Sequence, residues 1–279
     1  MQNVHFSPPE LARMLSVHES TVKRWIDKGL LKATRTPGGH RRVSAEDIQQ
    51  FMRTQSVART SSYVLARAAR EKDSPERSLR YYNLHVAYKK HEARTHLISL
   101  YLSLGSVREV LEAVVLPALV EIGLAWHRGD IDIADEHRMT FLMRGDLHAL
   151  ESLIPEPSAD ANTALLACVP GDNHELSLQL LSVLLKECGW RSVVLGINVP
   201  AQEVIRVACN TPIATILLTK LFHARDTRSY VHNVRSHVPV TVPILCGGGG
   251  WQPAEQRQIA GEHNVSYVPS MLELSQTLQ

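Results

Sequence analysis

The second half of the chain alternates short apolar runs with longer segments of helical periodicity. This alternation restricts the fold more than any other feature, because it predicts a parallel, doubly wound sheet. Such sheets bind ligands beyond the carboxyl ends of their strands, where the strand order reverses. The predicted strands are Ala164–Cys168, Ser192–Leu195, Ile213–Thr219, Pro243–Cys246 and Val265–Val268, and the predicted helices are Glu175–Glu187, Ala201–Cys209, Asp226–His237, Pro253–His263 and Met271–Leu278.

The loop after the first of these strands holds a candidate metal ligand, His174, with Asp172 two residues before it. A neutral imidazole is a common ligand of transition metals, and a carboxylate on its other ring nitrogen fixes the tautomer. Taken alone, a loop histidine beside an aspartate is more often structural. The metal-binding interpretation therefore needs support from elsewhere in the chain.

Charge is distributed unevenly along the 279 residues. Residues 1–80 hold 15 Lys and Arg against 8 Asp and Glu, a net charge of +7, whereas the other 199 residues hold 15 against 20, a net charge of −5. A basic head on a mildly acidic body indicates that the head alone binds nucleic acid.

The basic head has the pattern of a helix-turn-helix. Ser7 can cap a first helix that has Pro8 in its first turn and Glu10 three residues after the cap. A second helix is predicted over Glu19–Lys28, and Gly29 ends it in the left-handed conformation. The second helix of such a motif enters the major groove of DNA.

A small β-hairpin, the wing, is predicted to follow. Its strands are Leu30–Lys32 and His40–Val43, joined by a turn at Arg35–Gly39, and a third helix begins after a cap at Ser44. The predicted DNA contacts are polar and basic side chains of the second helix and the wing, namely Ser20, Thr21, Lys23, Arg24, His40, Arg41 and Arg42. The alternative is a basic face that only solvates a small helical domain.

Three segments of the basic head together match a known pattern. They are Val22–Ile26, Gly29–Leu31 and Thr36–Arg41. Through these segments residues 1–55 resemble the winged-helix DNA-binding domain of MerR-family transcription regulators. The resemblance implies that the partner of this domain is a double-stranded DNA operator.

Residues 56–75 are polar and are predicted to form a linker, and the helical spacing of residues 76–155 predicts a four-helix bundle. Its third helix is long and contains Pro117, where a kink is expected. The positions expected to face the interior are Leu79, Tyr82, Val86, Leu97, Leu100, Tyr101, Leu104, Val107, Leu111, Val114, Ala118, Ile122 and Ala125.

The bundle contains an unusual stretch between its last two helices. Trp126 and His127 stand at a helix end, and nine residues separate Trp126 from the pair Glu136 and His137 at the start of the next helix. An indole can lie flat on a large planar ligand while Glu136 and His137 hydrogen-bond the polar edge of that ligand. The alternative is a helical hairpin with a core tryptophan and a capping acid.

The spacing of small residues downstream of His174 supports the metal-binding interpretation. Ser177 follows His174, then 41 residues intervene before Thr219 and Leu221, and 25 more before the run Gly247–Gly250. This resembles the Asp-x-His-x-x-Gly, Ser-x-Leu and Gly-Gly motifs of the cobalamin-binding domains of methionine synthase and its relatives. The resemblance implies that residues 160–279 form a flavodoxin-like cobalamin-binding domain with cofactor contacts at Asp172, His174, Ser177, Thr219, Leu221, Gly247 and Gly248.

In that family the histidine binds cobalt from below, and the nucleotide tail of the cofactor enters the sheet beside the small residues. His174 is therefore the expected lower ligand, and the glycines let the tail approach the backbone. The chain departs from the family at Ser177, where the family has Gly, and at Thr219, where it has Ser. We expect both changes to narrow the tail channel and weaken binding without removing the metal ligand.

The combination of winged helix, bundle and cobalamin domain resembles the CarH/LitR group of MerR-type photoreceptor regulators over nearly the whole chain. The resemblance implies that the bundle caps the upper face of adenosylcobalamin, with Trp126, Glu136 and His137 around the adenosyl group. It also implies that His127 becomes the upper cobalt ligand once light has broken the cobalt–carbon bond.

The expected function is that of a cytoplasmic, light-responsive transcriptional repressor, not an enzyme, that binds DNA as a homo-oligomer, a dimer or tetramer, in the dark. One alternative is a cobalamin-binding regulator that does not use light, and another is a corrinoid carrier for a methyltransferase. The N-terminus lacks the order of a signal peptide and the apolar runs are short, so no membrane partner is expected.

Overall fold

The structure is a computed structural model, and it describes residues 5–14, 17–44, 47–48, 50–51, 75–222 and 227–278. The chain forms two units, Met1–Leu153 and Ile154–Gln279. The first contains the basic head and a helical bundle, and the second contains the parallel sheet. The linker predicted for residues 56–75 lies outside the described residues except for Pro75, which begins a helix.

The basic head folds as a winged helix. Its helices are α1, Pro8–Met14, and α2, Glu19–Asp27. Its antiparallel sheet has the order β1-β3-β2, with strands β1, His5–Phe6, β2, Thr34–Arg35, and β3, Arg41–Ser44. Of the third helix, residues 47–48 and 50–51 are described, and Ser44 Oγ accepts the Asp47 N–H at its start (3.1 Å).

The predicted start of α1 and the predicted end of α2 are confirmed. The Ser7 N–H donates to the Glu10 carboxylate (2.7 Å), and the Glu10 N–H donates to Ser7 Oγ (3.4 Å), which is a reciprocal capping box. Gly29 has a φ of 69°, a left-handed value that glycine adopts without the steric cost of a Cβ. Both ends are therefore set by local chemistry.

The strand predicted at Leu30–Lys32 is wrong, because the first strand of the wing is Thr34–Arg35. The N–H groups of Leu30 and Leu31 both donate to the Trp25 carbonyl oxygen (3.0 and 3.2 Å), so this segment closes α2 instead of pairing in a sheet. Leu31 is buried and anchors the closure. Leu31 is therefore an anchor and not a strand residue, whereas Leu30 is exposed.

Within residues 75–151 four helices form the predicted bundle. Asp132 caps the last of them by accepting the Asp135 N–H (2.7 Å). The predicted apolar stripe of the long third helix is confirmed, since all six of its residues are buried. The helices are α3, Pro75–Val86; α4, Lys90–Leu104; a long helix composed of α5, Val107–Val110, a π-helical turn, Leu111–Val115, and α6, Leu116–Arg128; and α7, Ile133–Glu151.

The π-helical turn directly precedes Pro117, where the sequence predicts a kink. Proline lacks an N–H, and its ring crowds the carbonyl four residues earlier. The wider turn at Leu111–Val115 accommodates both effects, and α6 continues from it without a break.

The helix Val107–Arg128 is also long and apolar enough to cross a membrane by length and composition. The lengths of uninterrupted apolar runs did not predict this, because a few charged residues divide the segment. The core helix of a globular domain passes the same test, and the apolar stripe of this helix is buried in the bundle.

Helix α3 turns a different face to the interior than its apolar residues predict. Leu79 and Val86 are 52% and 38% exposed, and Tyr82 is half-buried. Apolar spacing fails here because the face that α3 turns to the bundle includes Tyr81, whose hydroxyl takes part in a buried hydrogen-bonded network. The buried residues of α3 are Arg77, Ser78, Tyr81 and His85.

That network is centred on Asp146 of α7, which is fully buried. Its carboxylate accepts hydrogen bonds from the Tyr81 hydroxyl (3.0 Å) and from Arg94 Nε (3.1 Å), and His85 Nε2 lies 3.2 Å away. Burial and the charge of Asp146 raise the pKa of Tyr81 well above its ordinary value, so the phenol stays protonated and donates.

The described part of the C-terminal unit contains a five-stranded parallel sheet in the order β5-β4-β6-β7-β8, as the alternating pattern predicts. The order reverses between β4 and β6, so the carboxyl ends of these two strands form the topological switch point. The elements are β4, Thr163–Cys168; α8, Glu175–Glu187; β5, Arg191–Gly196; α9, Ala201–Asn210; β6, Thr215–Thr219; α10, Thr227–His237; β7, Ile244–Gly247; α11, Pro253–Ile259; β8, Val265–Val268; and α12, Met271–Thr277.

Two described element ends in this unit differ from the prediction by two residues or more. Strand β6 begins at Thr215 and not at Ile213, and α11 ends at Ile259 and not at His263 because residues 260–264 form the turns that lead into β8. The predicted start of α10 at Asp226 lies outside the described residues.

Replacing Asp146 with alanine is expected to lower the free energy of unfolding by roughly 3 kcal/mol, because the buried Tyr81 hydroxyl and Arg94 Nε lose their acceptor. Urea unfolding followed by circular dichroism measures the change. Asp130→Ala is the control, since Asp130 pairs with Arg128 at the surface and its loss is expected to cost less than about 1 kcal/mol. Equal losses in the two variants would contradict a stabilising role for the network.

Candidate functional site

A buried carboxylate joins the two loops that meet at the switch point of the sheet. Asp172 follows β4 and is fully buried. Its Oδ1 lies 2.6 Å from His174 Nδ1 and accepts the His174 N–H (2.9 Å), while its Oδ2 accepts the N–H of Leu221, which follows β6 (2.5 Å). The two predicted ligand-loop residues are thus in direct contact.

Asp172 is an ionised acceptor. Burial raises the pKa of its carboxyl, but hydrogen bonds from His174 and from the Leu221 N–H outweigh that effect, and the pKa is lowered overall. A carboxylate at Nδ1 favours the tautomer that carries its proton there, so Nε2 is the ring nitrogen suited to a metal. The donor set fits a cofactor that brings its own metal and takes one axial imidazole.

Phe222 contacts the histidine and was not predicted from the sequence. Its ring stacks on the His174 imidazole, with the ring centroids 4.9 Å apart and the planes 3° from parallel. Phe222 is otherwise 61% exposed, which is unusual for a large apolar side chain. The stack and the Asp172 hydrogen bond together restrict the orientation of the imidazole.

The small residues of the predicted tail channel lie beside the same loop. Ser177 Oγ donates to the His174 carbonyl oxygen (2.7 Å) and is 3.3 Å from Thr219 Oγ1. Thr219 Oγ1 in turn donates to the Cys168 thiol (3.1 Å), which is fully buried. Burial raises the pKa of Cys168, so the thiol stays neutral.

The glycines after β7 are required by close packing of the chain. A Cβ on Gly248, whose φ is 105°, would overlap the Lys220 carbonyl group, and one on Gly250 would come within 2.7 Å of the Leu221 carbonyl carbon. A Cβ on Gly247 would lie 3.3 Å from the Val268 oxygen. The Gly248 contact, together with the hydrogen bond from the Lys220 N–H to the Gly247 carbonyl oxygen (3.0 Å), places both predicted positions beside the loop that begins at Lys220.

That loop is anchored by a buried ion pair that the sequence analysis missed. Lys220 is 1% exposed, and its Nζ donates to both carboxylate oxygens of Glu255 (2.8 and 2.9 Å) and to Thr227 Oγ1 (2.9 Å). Burial raises the pKa of Glu255, but the hydrogen bonds from Lys220 and Thr227 outweigh that effect. The pKa is lowered overall, so the carboxyl is ionised. The pair fixes the backbone between Thr219 and Leu221.

The predicted upper-face residues lie in the N-terminal unit, on either side of the turn between α6 and α7. Trp126 is 46% exposed and His127 is exposed, with their ring centroids 6.3 Å apart. Glu136 Oε2 lies 3.5 Å from His137 Nε2, and Glu136 accepts the Thr140 hydroxyl (3.1 Å). The exposed indole does not support the alternative of a core tryptophan.

Other exposed apolar side chains accompany Trp126 on this helical hairpin. Val120 and Leu124 on α6 are 61% and 48% exposed, and Ile133 and Phe141 on α7 are 59% and 72% exposed.

The DNA contacts predicted on α2 surround one buried residue, Val22. Lys23 and Arg24 are exposed, although Lys23 Nζ pairs with Glu19 one turn earlier (2.7 Å). Thr21 is half-buried, and the Ser20 hydroxyl lies 2.8 Å from the ring of His18, which precedes the helix. Arg24 is therefore the side chain of α2 best placed to reach a phosphate or a base.

The basic residues of the wing, which are predicted to contact DNA, also pair with acidic residues of the helices. Arg41 pairs with Asp27 at the end of α2 (2.7 Å), and Arg42 lies 3.5 Å from Glu10 of α1, so both also tie the wing to the helices. His40 is exposed at the end of the turn. Three further basic residues of this region are exposed and were not predicted as contacts: Lys28, Lys32 and Arg35.

Two family models match segments of the N-terminal unit. A family model for the helix-turn-helix domain matches residues 6–56, and one for the B12 binding domain matches residues 80–151, the bundle. The chain therefore combines the domains of a cobalamin-binding transcription regulator.

The relatives make the class more specific. The HTH-type transcriptional repressor CarA of Myxococcus xanthus is 26% identical over 95% of this chain and 93% of its own length. The repressor CarH of the same organism is 27% identical over 50% of this chain, which spans about half of CarH (47%). The resemblance to this group of regulators is confirmed, and these relatives are repressors, not enzymes.

A solved structure supports the fold of the bundle and sheet. The monomethylamine corrinoid protein of Methanosarcina barkeri aligns with a TM-score of 0.57 at 14% identity, over 71% of this chain and 94% of its own. At this identity the likeness concerns the fold alone.

Removing the exposed guanidinium of Arg24 is expected to weaken DNA binding. For Arg24→Ala, the slope of log K against log salt should fall by about 0.9 for the lost phosphate contact. The probe is a duplex selected by the wild-type protein from a random pool, measured by fluorescence anisotropy. Arg206→Ala removes the same charge from exposed α9 and is the control. Identical binding by the two variants would exclude Arg24 from the interface.

Replacing His174 with alanine is expected to abolish or greatly weaken uptake of cobalamin, because the axial imidazole is lost. An absorption titration with hydroxocobalamin measures uptake and reports whether an imidazole binds cobalt. His232→Ala, which removes an exposed histidine paired with Glu262 on the same unit, should bind as the wild type does. If His174→Ala keeps both affinity and spectrum, the assignment of the lower ligand is wrong.

Proposed function

We propose that the protein is a light-responsive transcriptional repressor that uses adenosylcobalamin. The observation that carries the proposal is the Asp172–His174 pair at the switch point of a parallel sheet, in a chain that begins with a winged helix. The similarity to CarA over nearly the whole chain supports the same proposal. A cytoplasmic location accords with a regulator that acts on DNA.

His174 holds the cofactor from below in this proposal. Asp172 keeps the imidazole in the tautomer that offers Nε2, and Phe222 limits rotation of the ring. Thr219, Leu221 and the glycines after β7 line the region that receives the nucleotide tail. Adenosylcobalamin, when bound, supplies a cobalt–carbon bond that light breaks.

The bundle supplies the upper face. Trp126 packs against the adenosyl group, and Glu136 and His137 hydrogen-bond it. The exposure of Trp126 and His137 supports this role, and the B12 binding model matches the same segment. His127 is the upper metal ligand of the lit state.

DNA binding follows from oligomerisation. In the dark a homo-oligomer, a dimer or tetramer, presents several winged helices to one operator, and linked binding sites raise affinity without new contacts. Light dissociates the oligomer and so releases the DNA. The repressors CarA and CarH are the relatives on which the direction of regulation rests.

Two other functions remain as outcomes of the test. A cobalamin-binding regulator that ignores light would bind DNA identically in both conditions. A corrinoid carrier is suggested by the fold shared with the monomethylamine corrinoid protein, and such a carrier would not bind DNA specifically.

The test loads the protein with adenosylcobalamin in the dark and records the spectrum, the size by gel filtration and the binding of the selected duplex. Illumination is expected to change the spectrum, reduce the size and release the duplex. An unchanged size and affinity after photolysis would contradict light regulation.

The same assay tests His127. His127→Ala is expected to preserve dark assembly, DNA binding and photolysis, because bond cleavage belongs to the cofactor. Its lit spectrum should show water in place of a second imidazole above cobalt. His148→Ala, an exposed histidine later in α7, is the control. If the lit spectra of His127→Ala and wild type coincide, His127 is not the ligand.

A further inference from the structure

Three side chains form a continuous polar bridge across the proposed tail channel. Ser177 lies in the first turn of α8, Cys168 ends β4, and Thr219 ends β6. The Ser177 hydroxyl is 3.3 Å from the Thr219 hydroxyl, which donates to the Cys168 thiol (3.1 Å). Cys168 and Thr219 are paired neighbours in the sheet, so the bridge connects helix α8 to both central strands.

We propose that this bridge, the Ser177 latch, makes the site discriminate between corrinoids according to their nucleotide tail. The inference rests on the proposed function, because it concerns corrinoid binding at the same site. The related cobalamin-binding domains have Gly where this chain has Ser177. A glycine leaves no side chain between helix and sheet, whereas Ser177 adds a Cβ and a hydroxyl that already has partners there.

A tail that enters between α8 and β6 must separate Ser177 from Thr219 or move the first turn of α8. Thr219 keeps the Cys168 thiol as its acceptor (3.1 Å), so the cost falls on Ser177, whose hydroxyl loses its hydrogen bond to the His174 carbonyl oxygen. Loss of one neutral hydrogen bond of this kind corresponds to a roughly five- to tenfold loss of affinity. A corrinoid without a tail needs only His174 and does not meet this cost.

The latch also connects the channel to the metal ligand. Ser177 Oγ donates to the carbonyl oxygen of His174 itself (2.7 Å), and the Ser177 N–H donates to the same oxygen (3.1 Å). Displacement of Ser177 by a tail therefore disturbs the loop that carries the imidazole. The wild-type chain should consequently gain less from the tail than a chain with glycine at this position.

The experiment compares two probes, hydroxocobalamin, which has the tail, and diaquocobinamide, which lacks it. Dissociation constants are measured by absorption titration for the wild type and for Ser177→Gly. Ser177→Gly is expected to bind hydroxocobalamin about tenfold more tightly, with cobinamide affinity changed by less than about twofold. Ser177→Ala keeps the Cβ and lacks the hydroxyl, so it should lie between them.

Ser182→Gly is the matched control. Ser182 lies on the same helix, and its hydroxyl is 2.8 Å from that of Ser192, away from the ligand loop. The control introduces glycine into α8 and is expected to leave the ratio of the two affinities unchanged. It therefore separates an effect of helix flexibility from an effect of the latch.

Two results would overturn the inference while leaving the proposed function in place. One is a gain in Ser177→Gly that is equal for both corrinoids, and the other is an unchanged or weaker affinity for hydroxocobalamin in a variant that still folds by circular dichroism. If the folded wild type and Ser177→Gly bind neither corrinoid, the proposed function itself fails.

Discussion

The geometry of the C-terminal site depends on the buried carboxylate of Asp172. One of its oxygens serves both the backbone and the ring of His174, and the other serves the backbone of Leu221, so a single side chain joins the two strands at the switch point. Burial of an unpartnered carboxylate costs several kcal/mol. The hydrogen bonds that offset this cost form only while the loops after β4 and β6 keep their conformations. The loop after β4 carries His174, so its imidazole is held in place.

The sheet and the ligand loop could be predicted because local patterns encode them. Buried strands appear as short apolar runs, and Asp172 reaches His174 within its own loop. The pair of Lys220 and Glu255 could not be predicted, because 35 positions separate the two residues and a lysine after a strand is ordinarily exposed. Phe222 was missed for a related reason, since ring stacking on a histidine leaves no period in a sequence.

In the N-terminal unit, apolar spacing predicted where the helices lie in the sequence better than which face of each helix is buried. The long third helix packs by hydrophobicity, so its apolar stripe is its buried face. The interior positions of helix α3 include Tyr81, whose hydroxyl donates to Asp146, and His85, whose ring lies 3.2 Å from the same carboxylate. Strand β1 has two residues, too few to show any alternation, and was not predicted.

In the proposed mechanism the two axial histidines belong to different units, His174 to the sheet and His127 to the bundle. A ligand shifts an equilibrium between two arrangements only by the difference in its affinity for them. Asp172 holds His174 in its binding geometry without help from the bundle, so lower-face affinity differs little between the arrangements. The difference must then arise at the upper face, from Trp126 and His127. In this proposal the sheet anchors the cofactor, and the bundle responds to its chemical state.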